Sequence, residues 1–409
     1  MSRHLSLVLP FAALAVLAAS RSDAQISPFP DRFSEPSAPL AKREAFNRAF
    51  DAAVASALQD PRSPGLVDLG DLPLTLVALD GDGARPLTGQ RDFEMHYSGS
   101  LLKMAPMYAA FQLREVANQL AATLDVGIVD TQDKLFKEIG DTFDTQIDQS
   151  VERIRSANGV SREMRLPKYS TIFKAAVSNG KWKLEFNDTT PTPPDSFAVH
   201  LRDMIVGSSN ASAGVCVRAL GYSWINGLLQ AAGFLDLSLT GREGIWLAGD
   251  YGAQPTVDVD SRNDKLVKQA STTFHMAWLL VMLCDRKLVS NTVDPATGLS
   301  GNDEMLKLLE LAVDATGGES LLKHLTPPPP FTVTHSKIGV GQLKRDPNAP
   351  GTPGSCNTPI HGCVYSEAAI LRHSSGRRFV AVFQNMLDGR FSDLQRIANL
   401  IQKVMDSYP

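Results

Sequence analysis

The sequence predicts an α/β fold of the α+β kind: one antiparallel sheet flanked by helices, with a helical lobe beside it. Three observations carry that expectation. Runs of β-prone residues occur near both ends of the chain, a long block with helical periodicity lies between them, and the composition, 43% hydrophobic and 21% charged, is that of a globular protein. Strands at both ends around a helical middle imply a single sheet assembled from the two ends.

The chain opens MSRHLSLVLPFAALAVLAASRSDAQ, with a basic start, an apolar run from Leu5 to Ala19, and small residues at Ser22 and Ala24. This is the pattern of a secretory signal peptide over residues 1–24. The run is too short for a membrane-spanning helix, and the longest later one, Phe274 to Cys284, is shorter still. A mature chain of about 385 residues, secreted or periplasmic and without an integral membrane segment, is therefore expected. With a formal net charge of −4 and no Lys/Arg-rich run, a nucleic-acid partner is not indicated.

Residues 25–69 read as a Pro/Ser-rich leader followed by a helix over Ala41–Leu58, and residues 70–409 as one domain. Within it, 70–99 and 331–409 form the expected sheet lobe and 100–330 the helical lobe. Two β-prone runs flank Asp80-Gly81-Asp82-Gly83, which is a hairpin signal. From Ser100 to Leu120, apolar residues recur at three- and four-residue spacing (Leu101, Met104, Tyr108, Phe111), which predicts a helix with one buried face. The same periodicity marks Leu135–Ser156, Ser196–Val206, Ala211–Leu220, Ile225–Ala232, Thr272–Leu288 and Asn302–Val313. Pro327 to Pro330 ends the helical block. Beyond it, FTVTHSKIGVG, CVYSEAAILRH and RRFVAVFQNM read as three successive strands, and Ser392–Met405 as a closing amphipathic helix.

Three short motifs occur in order: Ser100-Leu-Leu-Lys103, Ser208-Ser-Asn210 and Lys337-Ile-Gly339. Spacing alone decides nothing, because Ser-x-x-Lys recurs at Ser178/Lys181 and Ser320/Lys323. Only Ser100, however, opens a long apolar-faced helix preceded by a strand and a glycine. There, a three-residue spacing brings hydroxyl and amine to one face. A serine hydroxyl is a poor nucleophile until a neighbour takes its proton, and a lysine does so only when neutral. Burial and a second nearby cation both favour the neutral amine, and Lys337 is the candidate cation. Ser208 is then placed to relay a proton and Asn210 to hold an amide of the substrate. The backbone N–H groups of Ser100 and Val340 are the candidate donors to the tetrahedral oxyanion.

On these motifs the sequence resembles the serine penicillin-binding protein and class A β-lactamase family, whose signature set is S-x-x-K, S-D-N and K-T-G. MIVGSSNASAGVCVRALG followed by INGLLQAAGF, STTFHMAWLLVMLCDRKLVS, and HSKIGVG before two strands and a helix resemble the family's corresponding segments. The likeness covers roughly residues 70–400, with an unmatched stretch at about 130–195. It implies a β-lactamase/transpeptidase-like fold and a serine hydrolase that forms an acyl-enzyme on a small-molecule or peptidoglycan-type substrate. Two departures matter. Ser209 stands where the family has Asp, and Ile338 stands where it has a hydroxyl that contacts the substrate carboxylate, a role Ile cannot perform. The family's deacylating glutamate has one candidate, Glu243 in LTGREGIWLAGDYG, without the family's following Asn pattern.

Cys356 and Cys363 sit in a Pro/Gly-rich loop and are expected to form a disulfide in an oxidising compartment, while Cys216 and Cys284 read as buried hydrophobes. Tyr97 and His335 lie beside the motifs and read first as packing and strand-surface residues. No His-Glu-x-x-His, Cys-x-x-Cys or phosphate-binding glycine loop occurs, so neither a metal nor a cofactor is implied.

Overall fold

The computed structural model describes residues 26–58, 72–188, 196–249, 251, 257–294, 297–343, 363–387 and 391–408. The expected signal peptide and Cys356 lie outside these residues, so the expected disulfide is described only at its Cys363 end, where a strand begins. Cys216 and Cys284 are free.

Helix α1 (Leu40–Leu58) precedes the hairpin of β1 (Leu74–Ala78) and β2 (Leu87–Gln90). The Asp-Gly turn makes that hairpin as expected, with Leu74 opposite Gln90 and Gly83 in the left-handed region at φ +83°. A 3-10 turn, Gly99–Lys103, then runs directly into α2 (Met104–Ala121). The helix predicted from Ser100 therefore begins its regular α part at Met104. Ser98 makes no side-chain cap, and Gly99 enters at φ +59°.

The pattern read as one helix over Leu135–Ser156 is two, α3 (Gln132–Gln149) and α4 (Glu152–Arg155). The break falls at Ser150, whose Oγ donates to Ile147 O and Ser223 O and so satisfies the helix end from the side. Short helices α5 (Arg162–Arg165) and α6 (Tyr169–Ile172) lead into the hairpin β3 (Phe173–Ser178) and β4 (Lys181–Phe186). Its turn places Asn179 and Gly180 at φ +51° and +69°, as a tight two-residue hairpin requires.

Helices α7 (Phe197–Ile205), α8 (Asn210–Leu220) and α9 (Tyr222–Ala232) follow. After them come the short strands β5 (Trp246–Leu247), β6 (Val259–Ser261), β7 (Lys265–Val267) and β8 (Gln269–Ala270). Then come α10 (Thr273–Cys284) and α11 (Gly301–Ala312). Side chains cap most of the longer helices here. Ser196, Ser209 and Thr272 accept from the third residue of α7, α8 and α10, and Ser300 with Asp303 forms a capping box on α11.

The chain closes with β9 (Thr332–Gln342), β10 (Cys363–Arg372), β11 (Arg378–Leu387) and α12 (Phe391–Ser407). The main sheet has the order β2-β1-β11-β10-β9, antiparallel throughout. Pairing of β1 with β11, Leu74 opposite Phe383, joins the two ends of the chain.

Alternation along the strands separates two cores. Leu74, Leu76, Phe379, Ala381 and Phe383 face α1 and α12 together with Phe46, Phe50, Ile397 and Ile401. Val77, Val380 and Val382 face the helical block with α10 and α2. α10 is buried from Thr273 to Leu283, and so has no polar face to show. β9 ends the sheet, and its outer edge meets the 3-10 turn that opens α2.

Candidate active site

Two glycines fix how the edge strand and the 3-10 turn meet. A Cβ added at Gly99 would lie 2.6 Å from both C and O of Val340, and one at Gly339 would strike the carbonyl oxygen of Ser98. Backbone therefore rests on backbone, and the two residues expected to supply oxyanion donors, Ser100 and Val340, flank this contact. Gly341 carries the ring of Tyr97, whose Oη would lie 2.5 Å from an added Cβ. Tyr97 thus forms part of the same wall, while the β10 partner of His335 is Ile370, toward the far end of β9.

On the turn, Ser100 is 8% exposed and Lys103 wholly buried, with Lys103 Nζ 2.8 Å from Ser100 Oγ. The amine also donates to Asn210 Oδ1 at 2.7 Å and to the carbonyl oxygen of Ser208. Burial pulls its pKa down to about 7. The partners specify what a neutral amine would do. Ser208 O and Asn210 Oδ1 only accept, so they take its two N–H bonds and leave the lone pair for the Ser100 hydroxyl proton.

The segment before α8 brings the second motif to the first. Ser208 sits at φ +53°, a sparsely populated region for a residue with a side chain. That conformation presents its carbonyl to Lys103 and its Oγ to Lys337, whose Nζ donates to it at 2.8 Å and to Ile338 O at 3.1 Å. Ser209 points away and caps α8 through Ser212 N, so the position where the resembled family has Asp serves the helix here. Lys337 is wholly buried; burial first, and the charge of Lys103 second, push its amine well below the usual lysine range, against an upward pull from Glu367.

The geometry therefore brings together Ser100, Lys103, Ser208, Asn210, Lys337 and Gly339 from three distant stretches. The competing Ser-x-x-Lys pairs do something else. Ser178 and Lys181 face each other across the β3–β4 turn, and Ser320 and Lys323 turn to Glu367 and Asp314.

Glu243 stands apart: it is buried, no hydrogen bond joins it to these groups, and its Oε2 has no partner among the described residues. The neighbour that the sequence reading did not single out is Tyr251, whose ring centre lies 4.9 Å from Lys103 Nζ. Nothing in its sequence context, Gly-Asp-Tyr-Gly, signals that placement. Ile338 is buried in register with Glu367, so it packs into the sheet. Among the described residues, no group of His, Cys, Asp and Glu is arranged to hold a metal ion, and no helix is long and apolar enough to cross a membrane.

No family model and no curated protein matches the chain. Solved structures do. The TLA-1 extended-spectrum β-lactamase is 12% identical with a TM-score of 0.47, the match covering 88% of this chain and 98% of that one. A class A β-lactamase from Bacteroides cellulosilyticus DSM 14838 is 13% identical with a TM-score of 0.44, over 88% and 98%. PBP-A is 14% identical with a TM-score of 0.44, over 91% and 99%. The mixed helix and antiparallel-sheet fold is read from the strand order given above, and the chemistry of the site stands on the distances above.

Proposed function

We propose that the chain is an exported serine hydrolase that opens an amide or ester through an acyl-enzyme on Ser100. The observation that carries this reading is the 2.8 Å contact of Ser100 Oγ with a buried Lys103 whose amine titrates at about 7. Lys103 takes the hydroxyl proton as Ser100 Oγ bonds to the substrate carbonyl carbon. The Ser100 and Val340 N–H groups receive the oxyanion. Ser208 then hands its hydroxyl proton to the leaving nitrogen or oxygen as the bond to the leaving group breaks, and takes a replacement from the Lys337 ammonium that donates to it. Water then adds to the acyl carbon, and the bond to Ser100 Oγ breaks to release the acid. The substrates to test are β-lactams and D-Ala-D-Ala peptides, with a periplasmic or extracellular setting implied by the expected signal peptide.

The decisive experiment is labelling of the purified mature protein with a fluorescent penicillin and, separately, a fluorophosphonate. Both are expected to attach to Ser100 and to be lost in Ser100→Ala. Labelling that survives this substitution rejects the reading.

A second reading is favoured by one observation: among the described residues no carboxylate is hydrogen-bonded to Ser100 or Lys103, and Glu243 Oε2 has no partner. On that reading the protein is a penicillin-binding module with impaired turnover. Intact-mass spectrometry after nitrocefin separates the two, since an adduct that clears means an enzyme and one that persists means a binder.

A further inference from the structure

Glu367 is a charged side chain enclosed on every side. It lies in β10, is wholly buried, and stands in register with Ile338 of the edge strand. Ser320 Oγ and Ser336 Oγ each donate to its Oε1 at 2.6 Å, and Leu322 N donates to its Oε2 at 3.0 Å. Ser320 Oγ itself accepts from Lys323 N, which fixes its proton toward the carboxylate. Burial raises the Glu367 pKa above the usual carboxylate range, and the three converging donors oppose that shift by favouring the ionised form. No ion pair joins Glu367 to any described residue. A buried anion with no touching cation is costly unless a charge of opposite sign is near in the same dry region.

That charge is Lys337. It is also wholly buried, pairs with Ala368, the residue after Glu367, and follows Ser336 directly on β9. Strand alternation puts the ammonium on the cleft face of the sheet and the carboxylate on the other. We propose that Glu367 is a positioning residue of the Ser100 site: its carboxylate braces β9 through Ser336 and supplies, across the sheet, a counter-charge that opposes the loss of the Lys337 proton.

Lys337 feels two charges of note, Lys103 lowering its affinity for a proton and Glu367 raising it. The other titratable groups packed nearby are engaged with one another. Lys307 and Glu310 of α11 pair together and face His335, on which Arg372 and Arg378 also act, and Lys323 pairs with Asp314. A protonated Lys337 in turn disfavours a proton on Lys103 and so frees the base. The inference rests on the hydrolase reading for its effect on acylation, whereas the coupling of Glu367 to Lys337 requires no substrate.

The test is a pH titration of the Lys337 side chain by NMR in the full mature chain carrying ε-13C-lysine, assigned with Lys337→Met. The rate of fluorophosphonate labelling at Ser100 is measured over the same pH range. In Glu367→Gln the Lys337 midpoint is expected to fall by about one pH unit, and the alkaline limb of labelling to move down with it. Ser336→Ala removes one donor but leaves the charge, and is expected to keep the midpoint within a few tenths of the parent's, about a quarter of that shift. A Glu367→Gln midpoint equal to the parent's overturns the inference whether or not the protein labels. A parent that never labels while the midpoint still shifts overturns the hydrolase reading alone. Should Glu367→Gln fail to fold by circular dichroism, Glu367→Asp decides, since it retracts the charge by one methylene: a smaller fall supports the coupling and no change overturns it.

Discussion

Two of the three Ser-x-x-Lys segments in this molecule, the ones at Ser100 and Ser320, place their lysines in opposite surroundings. In the turn that opens α2, Lys103 is wholly buried, donates only to neutral acceptors and faces Ser100. In the segment after α11, Lys323 keeps 39% of its side chain exposed and pairs with Asp314 at 2.6 Å, while Ser320 turns to a carboxylate. An amine beside a carboxylate in water stays an ammonium, and an ammonium has no lone pair with which to take a proton. The difference teaches that enclosure without a counter-ion, rather than spacing, makes a lysine a base.

The comparison can be broken most severely at Lys103 itself. Lys103→Met is expected to slow fluorophosphonate labelling of Ser100 by about 10²- to 10⁴-fold, the usual worth of a general base, with the circular dichroism spectrum unchanged. A loss under tenfold would show that Ser100 needs no such partner.

A smaller and more graded effect follows from acidity. Because burial holds the Lys103 pKa at about 7, the neutral amine predominates above that pH and is lost below it. Labelling is therefore expected to fall by about tenfold for each pH unit below neutrality and to level off above it, until loss of the Lys337 proton sets the alkaline limb. A rate that is flat from pH 5 to 8, measured with a probe stable over that range, removes Lys103 as the base.

The smallest effect belongs to the control. Lys323→Met is expected to leave labelling unchanged and to alter unfolding free energy by no more than about 1 kcal/mol, because exposed ion pairs contribute little. Urea denaturation together with the labelling rate checks both parts.

How far the sequence foretold this depends on the scale of the signal. The hairpin at Asp80-Gly81-Asp82-Gly83, the last three strands and the apolar-faced helices were legible because short-range periodicity and turn chemistry dictate them. The α part of α2 starts later than Ser100 because a left-handed Gly99 and an uncapped Ser98 feed it through a tighter turn, which periodicity does not report. The Ser-Asn-Gly turn at Ser178 is legible in the sequence, whereas the two strands it joins, β3 and β4, were not read from it. Glu367 was hidden for a different reason. In CVYSEAAILRH an isolated acid reads as facing water, but β10 is an interior strand covered on both faces, so only the tertiary arrangement shows it enclosed. The placement of Tyr251 against Lys103 is likewise a property of packing between segments far apart in sequence.

The sheet order has a temporal consequence. Ser100 and Lys103, the proposed nucleophile and base, are made early, but the wall they meet, β9, is among the last segments to emerge, and β1 waits for β11 before it has a second neighbour. Contacts of such long range are slow to form. A chain threaded through a membrane from its N-terminus would therefore travel unarmed, acquiring its reactivity only once the final strands have crossed and docked.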